Sequence, residues 1–287
     1  MTNQILFSEE MPGLTVERAR RDGSFTMPQV HFHNTCEIYF LLEGERSYFI
    51  ENRTYRVAPG GLAFVGRNRI HKTLAEREGC HERILLEIEP QLLRRSAGYF
   101  GSLPLQEFFL EDSGVLNLLP QESAFVRDLL LRMARELHAR PIGCEECASL
   151  MLGELLLFIF RRAGAAPTAS PVINSEKHRK VYEIASYISE SYAEITTIDE
   201  LSRRFFLSKY YLCHIFREVT GLTVSEYIND RRVMAAQKLL AETDGTVAEI
   251  ATAVGYDSVT YFDRVFSRSI GQSPMQYRKQ HPGCPAG

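Results

Sequence analysis

The last third of this 287-residue chain repeats itself. Ile198, Leu201, Ser202 and Phe205 recur 49 residues later as Val247, Ile250, Ala251 and Val254. Ser208, Leu212, Phe216, Gly221, Val224 and Tyr227 recur 50 residues later as Ser258, Phe262, Phe266, Gly271, Pro274 and Tyr277. The one-residue slip falls where a turn is expected. Apolar positions that recur at matching spacing call for one small packed unit built twice.

Each copy carries helix start and stop signals. Thr197 with Glu200 has capping-box spacing and opens a helix from Ile198 to Phe205 that buries Ile198, Leu201 and Phe205. Phe206-Leu207 forms a short turn. Ser208 caps a second helix, Lys209 to Val219, which buries Leu212, Ile215, Phe216 and Val219 and stops at Gly221. In the second copy Thr246 caps Val247 to Val254, with Glu249 as the third helical residue. Gly255 permits the sharp turn, Ser258 caps a helix through Ile270, and Gly271 ends it. Ser225 to Ala241 between them is a long amphipathic helix. Burying Tyr227, Ile228, Ala235 and Leu239 would let it hold the two units at a fixed separation. Helix, tight turn and second helix is the arrangement whose second helix enters the major groove of DNA.

Charge does not advertise such a role. The formal net charge is −3, and from Ser175 onward acidic and basic residues balance. The strongly basic footprint of many nucleic-acid binders is absent, so binding has to rest on how charges are arranged. With 45% hydrophobic and 24% charged residues, the composition is that of a globular protein long enough for two domains. No apolar run approaches the roughly 20 residues of a membrane span. The longest, Leu150 to Phe160, is interrupted by Gly153 and Glu154 and reads as a buried helix. No basic-then-apolar segment opens the chain, so a cytoplasmic location is expected. Six cysteines are scattered. Cys144-Glu-Glu-Cys147 lacks the second pair of a structural zinc site and reads as two thiols at a helix start. No P-loop, nucleophile elbow or dinucleotide fingerprint is visible.

The first hundred residues read as short strands: Leu14 to Arg20, Cys36 to Leu42, Ser47 to Glu51, Leu62 to Val65 and Arg83 to Glu89. Gly44, Asn52 and Pro59-Gly60-Gly61 separate several of them. That pattern suggests an antiparallel barrel or sandwich. Two apolar helical stripes follow: Phe125, Leu129, Met133 and Leu137, then Ala148, Met151, Leu152, Leu155, Leu156, Ile159 and Phe160. Pro141 and Gly143 separate them. Both could pack on the barrel, or one could supply a dimer seam. Ala163 to Ser175, rich in small residues and without charge, reads as a linker. The expected fold class is α+β in two domains. Residues 1–165 form the strand-rich barrel or sandwich with flanking helices, and residues 176–287 an all-α double helix-turn-helix.

Gly255-Tyr256, then Tyr261-Phe262-Asp263-Arg264-Val265-Phe266, then Gly271-Gln272-Ser273-Pro274 and Tyr277-Arg278 resemble the C-terminal signature of the AraC/XylS family of transcription regulators. The first copy resembles that family's first helix-turn-helix. Arg231-Arg232 with Ala235 to Leu240 resembles its connecting helix. The resemblance implies DNA-reading positions at Lys209, Tyr210, Cys213, His214 and Arg217 in the first unit. In the second they fall on Ser258, Val259, Thr260, Asp263 and Arg264. Arg and His can donate to guanine edges, Thr260 and Val259 can pack on a thymine methyl, and Asp263 can accept from cytosine. Cys213 and Val259 are weak readers, equally suited to helix packing. Arg203, Arg204 and Lys209 are candidates for phosphate contact.

His31-Phe32-His33-Asn34-Thr35-Cys36-Glu37, then Gly44, Pro59-Gly60 and His71 resemble the cupin barrel pattern, which that regulator family often carries for effector binding. The resemblance implies His31, His33, Glu37, Tyr39 and His71 as effector-binding residues. His31, His33, Glu37 and His71 are also the ligand set of metal-binding cupins. Metal, direct effector contact and bracing of the barrel all remain open for them. Arg18, Arg20 and Arg46 could instead pair an acid, depending on which way they point. The expected function is a DNA-binding transcription regulator, by resemblance an activator. It would need no cofactor, respond to a sugar or other small polar metabolite, work with RNA polymerase on double-stranded DNA, and form a homodimer. The alternative is a metal-dependent cupin enzyme fused to a DNA-binding domain.

Overall fold

The structure, a computed structural model, describes residues 3–21, 35–67, 69–75, 79–165, 176–195 and 197–280. The chain divides into two compact units, Met1–Val172 and Ile173–Gly287. The first holds the strands and the second is helical, so the class is α+β.

In the first unit the strands are β1 (Asn3–Met11), β2 (Leu14–Arg21), β3 (Cys36–Glu43), β4 (Arg46–Ile50), β5 (Arg53–Val57), β6 (Leu62–Val65), β7 (His71–Ala75), β8 (His81–Ile88) and β9 (Gly114–Leu116). Among the described residues they pair antiparallel into two sheets, ordered β1-β2-β8-β3-β6-β9 and β5-β4-β7. The larger sheet is buried on both faces. Leu14, Val16, Ile38, Phe40, Ile84 and Leu86 pack with the helices. Tyr39, Leu41 and Leu85, on the opposite pleat, pack with Tyr48, Ile50 and Val57 of the smaller sheet. This double burial is why Cys36–Leu41 reads as an unbroken run rather than an alternation.

Helices α1 (Pro90–Gly98), α2 (Leu105–Glu111), α3 (Pro120–Ala139) and α4 (Cys144–Ala165) complete the unit. The stripe of α3 differs by one position from the expected one. Val126, Leu129, Leu130, Met133 and Leu137 are buried, while Phe125 is 38% exposed, its ring 5.2 Å from that of Phe158. Four-residue steps from Leu137 back to Phe125 drift off a 3.6-residue turn. The α4 stripe from Ala148 to Ile159 is buried as read. Helix α4 continues through Ala165, so Ala163, Gly164 and Ala165 are helical rather than linker. The rest of that segment lies outside the described residues. Cys144 and Cys147 are free thiols in the first turn of α4. Among the described residues no helix is long and apolar enough to cross a membrane.

The second unit contains α5 (Glu176–Ser191), α6 (Ile198–Arg204), α7 (Lys209–Thr220), α8 (Val224–Glu242), α9 (Val247–Ala253), α10 (Val259–Ile270) and α11 (Pro274–Gln280). In α6 only Leu201 and Ser202 are buried, with Ile198 and the capping residue Phe205 half-buried. Helix α8 spans 19 residues, about 28 Å. It does not keep one apolar face. Val224, Tyr227 and Ile228 are buried at its start, and Val233, Ala236, Gln237 and Leu240 at its end. At about 100° per residue these two sets lie on roughly opposite sides. Ala235 and Leu239, expected inside, fall on the first set's side and are half-buried. The first half of α8 therefore packs toward one repeat and the second half toward the other.

Candidate functional site

The two repeats have the same backbone construction. Thr197 and Thr246 each accept from the amide three residues on, Glu200 and Glu249, both at 3.2 Å. The first helix of each closes the same way: Leu207 N–H donates to Ser202 O and Tyr256 N–H to Ala251 O, both at 2.9 Å. Such closure needs a left-handed residue in between, filled by Phe206 (φ 54°) in one copy and Gly255 (φ 95°) in the other. Ser208 and Ser258 cap α7 and α10, and Gly221 and Gly271 end them with positive φ.

Two arginines brace the entry to each first helix. Arg232, on α8, donates to Tyr192 O at 3.0 Å and Ile195 O at 2.7 Å, and lies 5.2 Å over the Tyr256 ring. Arg278, on α11, donates to Leu240 O and Gly245 O. In the sequence Arg232 is seen only as part of the connecting helix; nothing there shows that it holds carbonyls about 40 residues away.

The caps leave the opening turns of α7 and α10 turned outward. Tyr210 is 82% exposed, and Tyr211, His214, Arg217, Val259, Thr260, Tyr261, Asp263 and Arg264 are also exposed. Their partners differ. Lys209 Nζ lies 3.0 Å from Asp199 Oδ2. The His214 ring stacks on Tyr210, and its Nε2 lies 3.7 Å from Glu218. Arg264 lies 5.2 Å over the Tyr261 ring. Cys213 is half-buried. The Ser258 hydroxyl accepts from Tyr261 N–H at 3.3 Å, so part of its capacity goes to the cap. Of the phosphate candidates, Arg203 leans back on Asp199 O at 3.4 Å and Arg204 stacks 4.0 Å over Tyr187.

The interior between the sheets of the first unit, its chamber, mixes buried polar groups with packed apolar side chains. Glu37 is fully buried, with the Tyr48 hydroxyl donating to Oε1 and His71 Nε2 lying 3.3 Å from Oε2. His71 Nδ1 faces Arg69 O at 2.8 Å. A ring nitrogen facing a carbonyl has to carry the proton. The Tyr39 ring meets Tyr48 edge-on at 5.3 Å. Burial pushes the Tyr39 hydroxyl up to about 12, so it remains a neutral donor. Glu37, Tyr39 and His71 are therefore brought together through Tyr48 between the sheets; His31 and His33 lie outside the described residues. Among the described residues no three His, Cys, Asp or Glu side chains are placed to hold a metal ion.

The arginines expected to pair an acid separate by pleat. Arg18 and Arg20 are on the helix-facing side of β2, where Arg18 Nε donates to Glu82 at 2.7 Å and Arg20 lies 3.9 Å from the same carboxylate. Arg46 is 2% exposed on the chamber face of β4.

Two family profiles match the chain. Residues 12–146 match an AraC-like ligand binding domain and residues 201–280 a helix-turn-helix domain. An uncharacterized HTH-type transcriptional regulator of Bacillus subtilis, YisR, is 34% identical over 292 residues, covering 96% of this chain and 97% of the relative. The chain belongs to the AraC family of transcriptional regulators. The HTH-type transcriptional regulator ExsA of Pseudomonas aeruginosa is 27% identical over 255 residues, covering 87% of this chain and 88% of that protein. The HTH-type transcriptional activator RhaR of Shigella dysenteriae is 24% identical over 251 residues, covering 86% of each chain. Residues 12–146 thus supply a ligand-binding domain to a DNA-binding regulator. These relatives are regulators, and nothing in the comparisons supports the enzyme reading.

Proposed function

We propose that this regulator is an activator that reads an asymmetric DNA site through α7 and α10, and that a small polar metabolite between the sheets of the first unit controls it. The observation that carries the DNA reading is the pair of identically capped repeats, each presenting the opening turns of an exposed helix. Two such helices separated by α8 would enter successive major grooves about 10 base pairs apart. The positions proposed to contact DNA are Lys209, Tyr210, Cys213, His214 and Arg217 in the first repeat. In the second they are Ser258, Val259, Thr260, Asp263 and Arg264. Because the two sets differ while the cores match, each subunit would read two different half-sequences. A homodimer contacting RNA polymerase, acting in the cytoplasm, completes the proposal. RhaR, described as an activator, supports its direction.

The experiment is binding of wild type and Arg264→Ala to a randomised DNA pool. A base contact predicts relaxed preference at one position, at a cost of about 1–3 kcal/mol. Equal weakening on every sequence would instead assign Arg264 to phosphate.

In the chamber, Glu37, Tyr39 and His71, with His31 and His33, are the proposed effector contacts, and sugars and related metabolites are the first class to screen. Regulation is proposed to work without a metal. Glu37 is already held by Tyr48 and His71, a carboxylate better prepared to hold a polar ligand than an ion. Metal at about one per purified chain would overturn that part of the proposal.

A further inference from the structure

The two repeats match in their cores and differ in what they turn outward, with one exception. Among the exposed positions of α7, His214 becomes Arg264 in the second copy, Arg217 becomes Ser267 and Glu218 becomes Arg268. Tyr211 alone returns unchanged, as Tyr261. A side chain that reads a base has to change when the base changes. One that holds a phosphate, the same at every step of the duplex, does not.

The caps fix both tyrosines at the third helical residue. Tyr211 N–H donates to Ser208 Oγ at 3.2 Å and Tyr261 N–H to Ser258 Oγ at 3.3 Å. At about 100° per residue, Tyr211 lies roughly a quarter turn from the face of Tyr210, His214 and Arg217. It stands between that face and the buried one of Leu212, Ile215, Phe216 and Val219. Tyr261 holds the same flank of α10. A helix with its side chains is about 10–12 Å across and the major groove about 12 Å wide. The helix therefore fills the groove, and the flank of its reading face meets the sugar-phosphate strand beside it.

Packing accounts for a ring at these two places but not for its hydroxyl. The Tyr261 ring meets Tyr256 at 5.9 Å and carries Arg264; phenylalanine would do both. Tyr211 is 46% and Tyr261 43% exposed, and neither hydroxyl has a hydrogen-bond partner among the described residues. A neutral donor also suits the charge of this unit. Acids and bases balance from Ser175 onward, so net charge does not supply the grip on phosphate. Glu218 shares the flank of Tyr211 about 10 Å further along the helix and is answered by Lys177. Tyrosine hydroxyls are among the neutral groups that bind DNA phosphates.

We propose that the Tyr211 and Tyr261 hydroxyls each donate to a backbone phosphate, one in each of two successive major grooves, and that this repeated contact seats both reading helices. The proposal rests on the DNA reading above and adds two contacts that carry no sequence information.

The test uses the full chain, the duplex that wild type selects from a randomised pool, and single-base variants of that duplex. Tyr211→Phe and Tyr261→Phe keep the ring and lose the donor. Each should weaken binding roughly 3- to 10-fold, by the same factor on every duplex and with Tm unchanged. The slope of affinity against salt should stay the same, because a neutral donor releases no counterion. Replacing single phosphates of the selected duplex by methylphosphonates locates the contacts. Two linkages about 10 base pairs apart should each weaken wild type, and each variant should lose most of its sensitivity at one of them. Full affinity in either phenylalanine variant overturns the proposal and leaves the DNA reading intact. A loss confined to some of the duplexes makes the contact one to a base and also overturns it. A wild-type chain that enriches no sequence overturns the DNA reading, and the proposal with it.

Discussion

Replacing Gly255 by alanine and Phe206 by glycine should have opposite effects, although the two residues occupy the same place in the repeat. Both adopt positive φ, 95° and 54°. An alanine at position 255 incurs the left-handed cost of a side chain, about 1 kcal/mol relative to glycine. It also has nowhere to put its methyl group, because a Cβ there would lie 2.4 Å from Ala193 O and 2.8 Å from Ala193 Cα. These are backbone atoms in the turn after α5 and cannot swing aside. Overpacking of this kind costs about 1–3 kcal/mol, so the two costs together come to about 2–4 kcal/mol. Phe206 already bears the left-handed cost, and its side chain is 94% exposed, so its removal sacrifices little packing. Phe206→Gly should be neutral or stabilising by up to about 1 kcal/mol. Hydrogen exchange read by mass spectrometry on the full chain resolves both. Gly255→Ala should lose roughly 30- to 1,000-fold protection in peptides covering α9 and α10, with peptides from the first unit unchanged. Undiminished protection in Gly255→Ala, or a larger loss in Phe206→Gly, would refute the argument that the two turns differ by the nearness of Ala193.

Asp230, on α8, is pushed up to about 7, mainly by burial and further by Glu226, against a smaller pull from Arg231. Its unfolded form ionises near 3.8, so between that value and about 7 the unfolded chain releases a proton that the folded chain keeps, and stability falls as pH rises. Asp230→Asn should therefore raise Tm at pH 8, with the gain shrinking as pH drops through 7 and vanishing below about 4; a gain independent of pH would sink the assignment. Arg232→Met removes two hydrogen bonds to carbonyls and a ring contact. It should cost about 1.5–3 kcal/mol in urea unfolding, and an unchanged midpoint would show that water replaces the brace.

The second unit was legible because its information is local. Caps, left-handed stops and apolar steps all lie within a few residues of one another, and they occur twice. The same signals mark α5, which the repeat does not cover, and α11, where the repeat ends. Val181, Ile184, Ala185 and Ile188 keep helical spacing and are buried. Ser273 and Gln276 exchange the two bonds of a capping box at 2.9 and 3.3 Å. Helix α8 is harder to read because its buried face changes sides midway, which a search for one stripe cannot represent. The first unit hides its site for a different reason. Polarity assigns a strand's faces only when one face is wet, and here both are dry. Alternation puts Arg18 and Arg20 on one side of β2 and Arg21 on the other. Only the pairing of β2 with β8 shows which side looks into the chamber. Pairing across 60 or more residues is a property of the fold, not of a local pattern.

The repeats, so alike in backbone, differ most in how their charges are occupied. Around α7 several basic groups are already engaged, though no ion pair is seen for Arg217 among the described residues. Lys209 is paired with Asp199, His214 sits beside Glu218, and Lys177 reaches the same Glu218. Around α10, by contrast, Arg264 rests on the Tyr261 ring, and no ion pair involves Arg264 or Arg268 among the described residues. Exposed pairs of this kind are weak, worth about 0–1 kcal/mol, so DNA phosphates can displace them. Each displacement nevertheless returns an unpaired Asp199 or Glu218 to face the duplex. On the reading proposed above, Arg264 meets DNA without first releasing an acidic partner, as Arg217 does in the first repeat, whereas Lys209 and His214 must each leave an acidic neighbour. On that reading a helical unit whose acids and bases balance from Ser175 onward can still bind DNA.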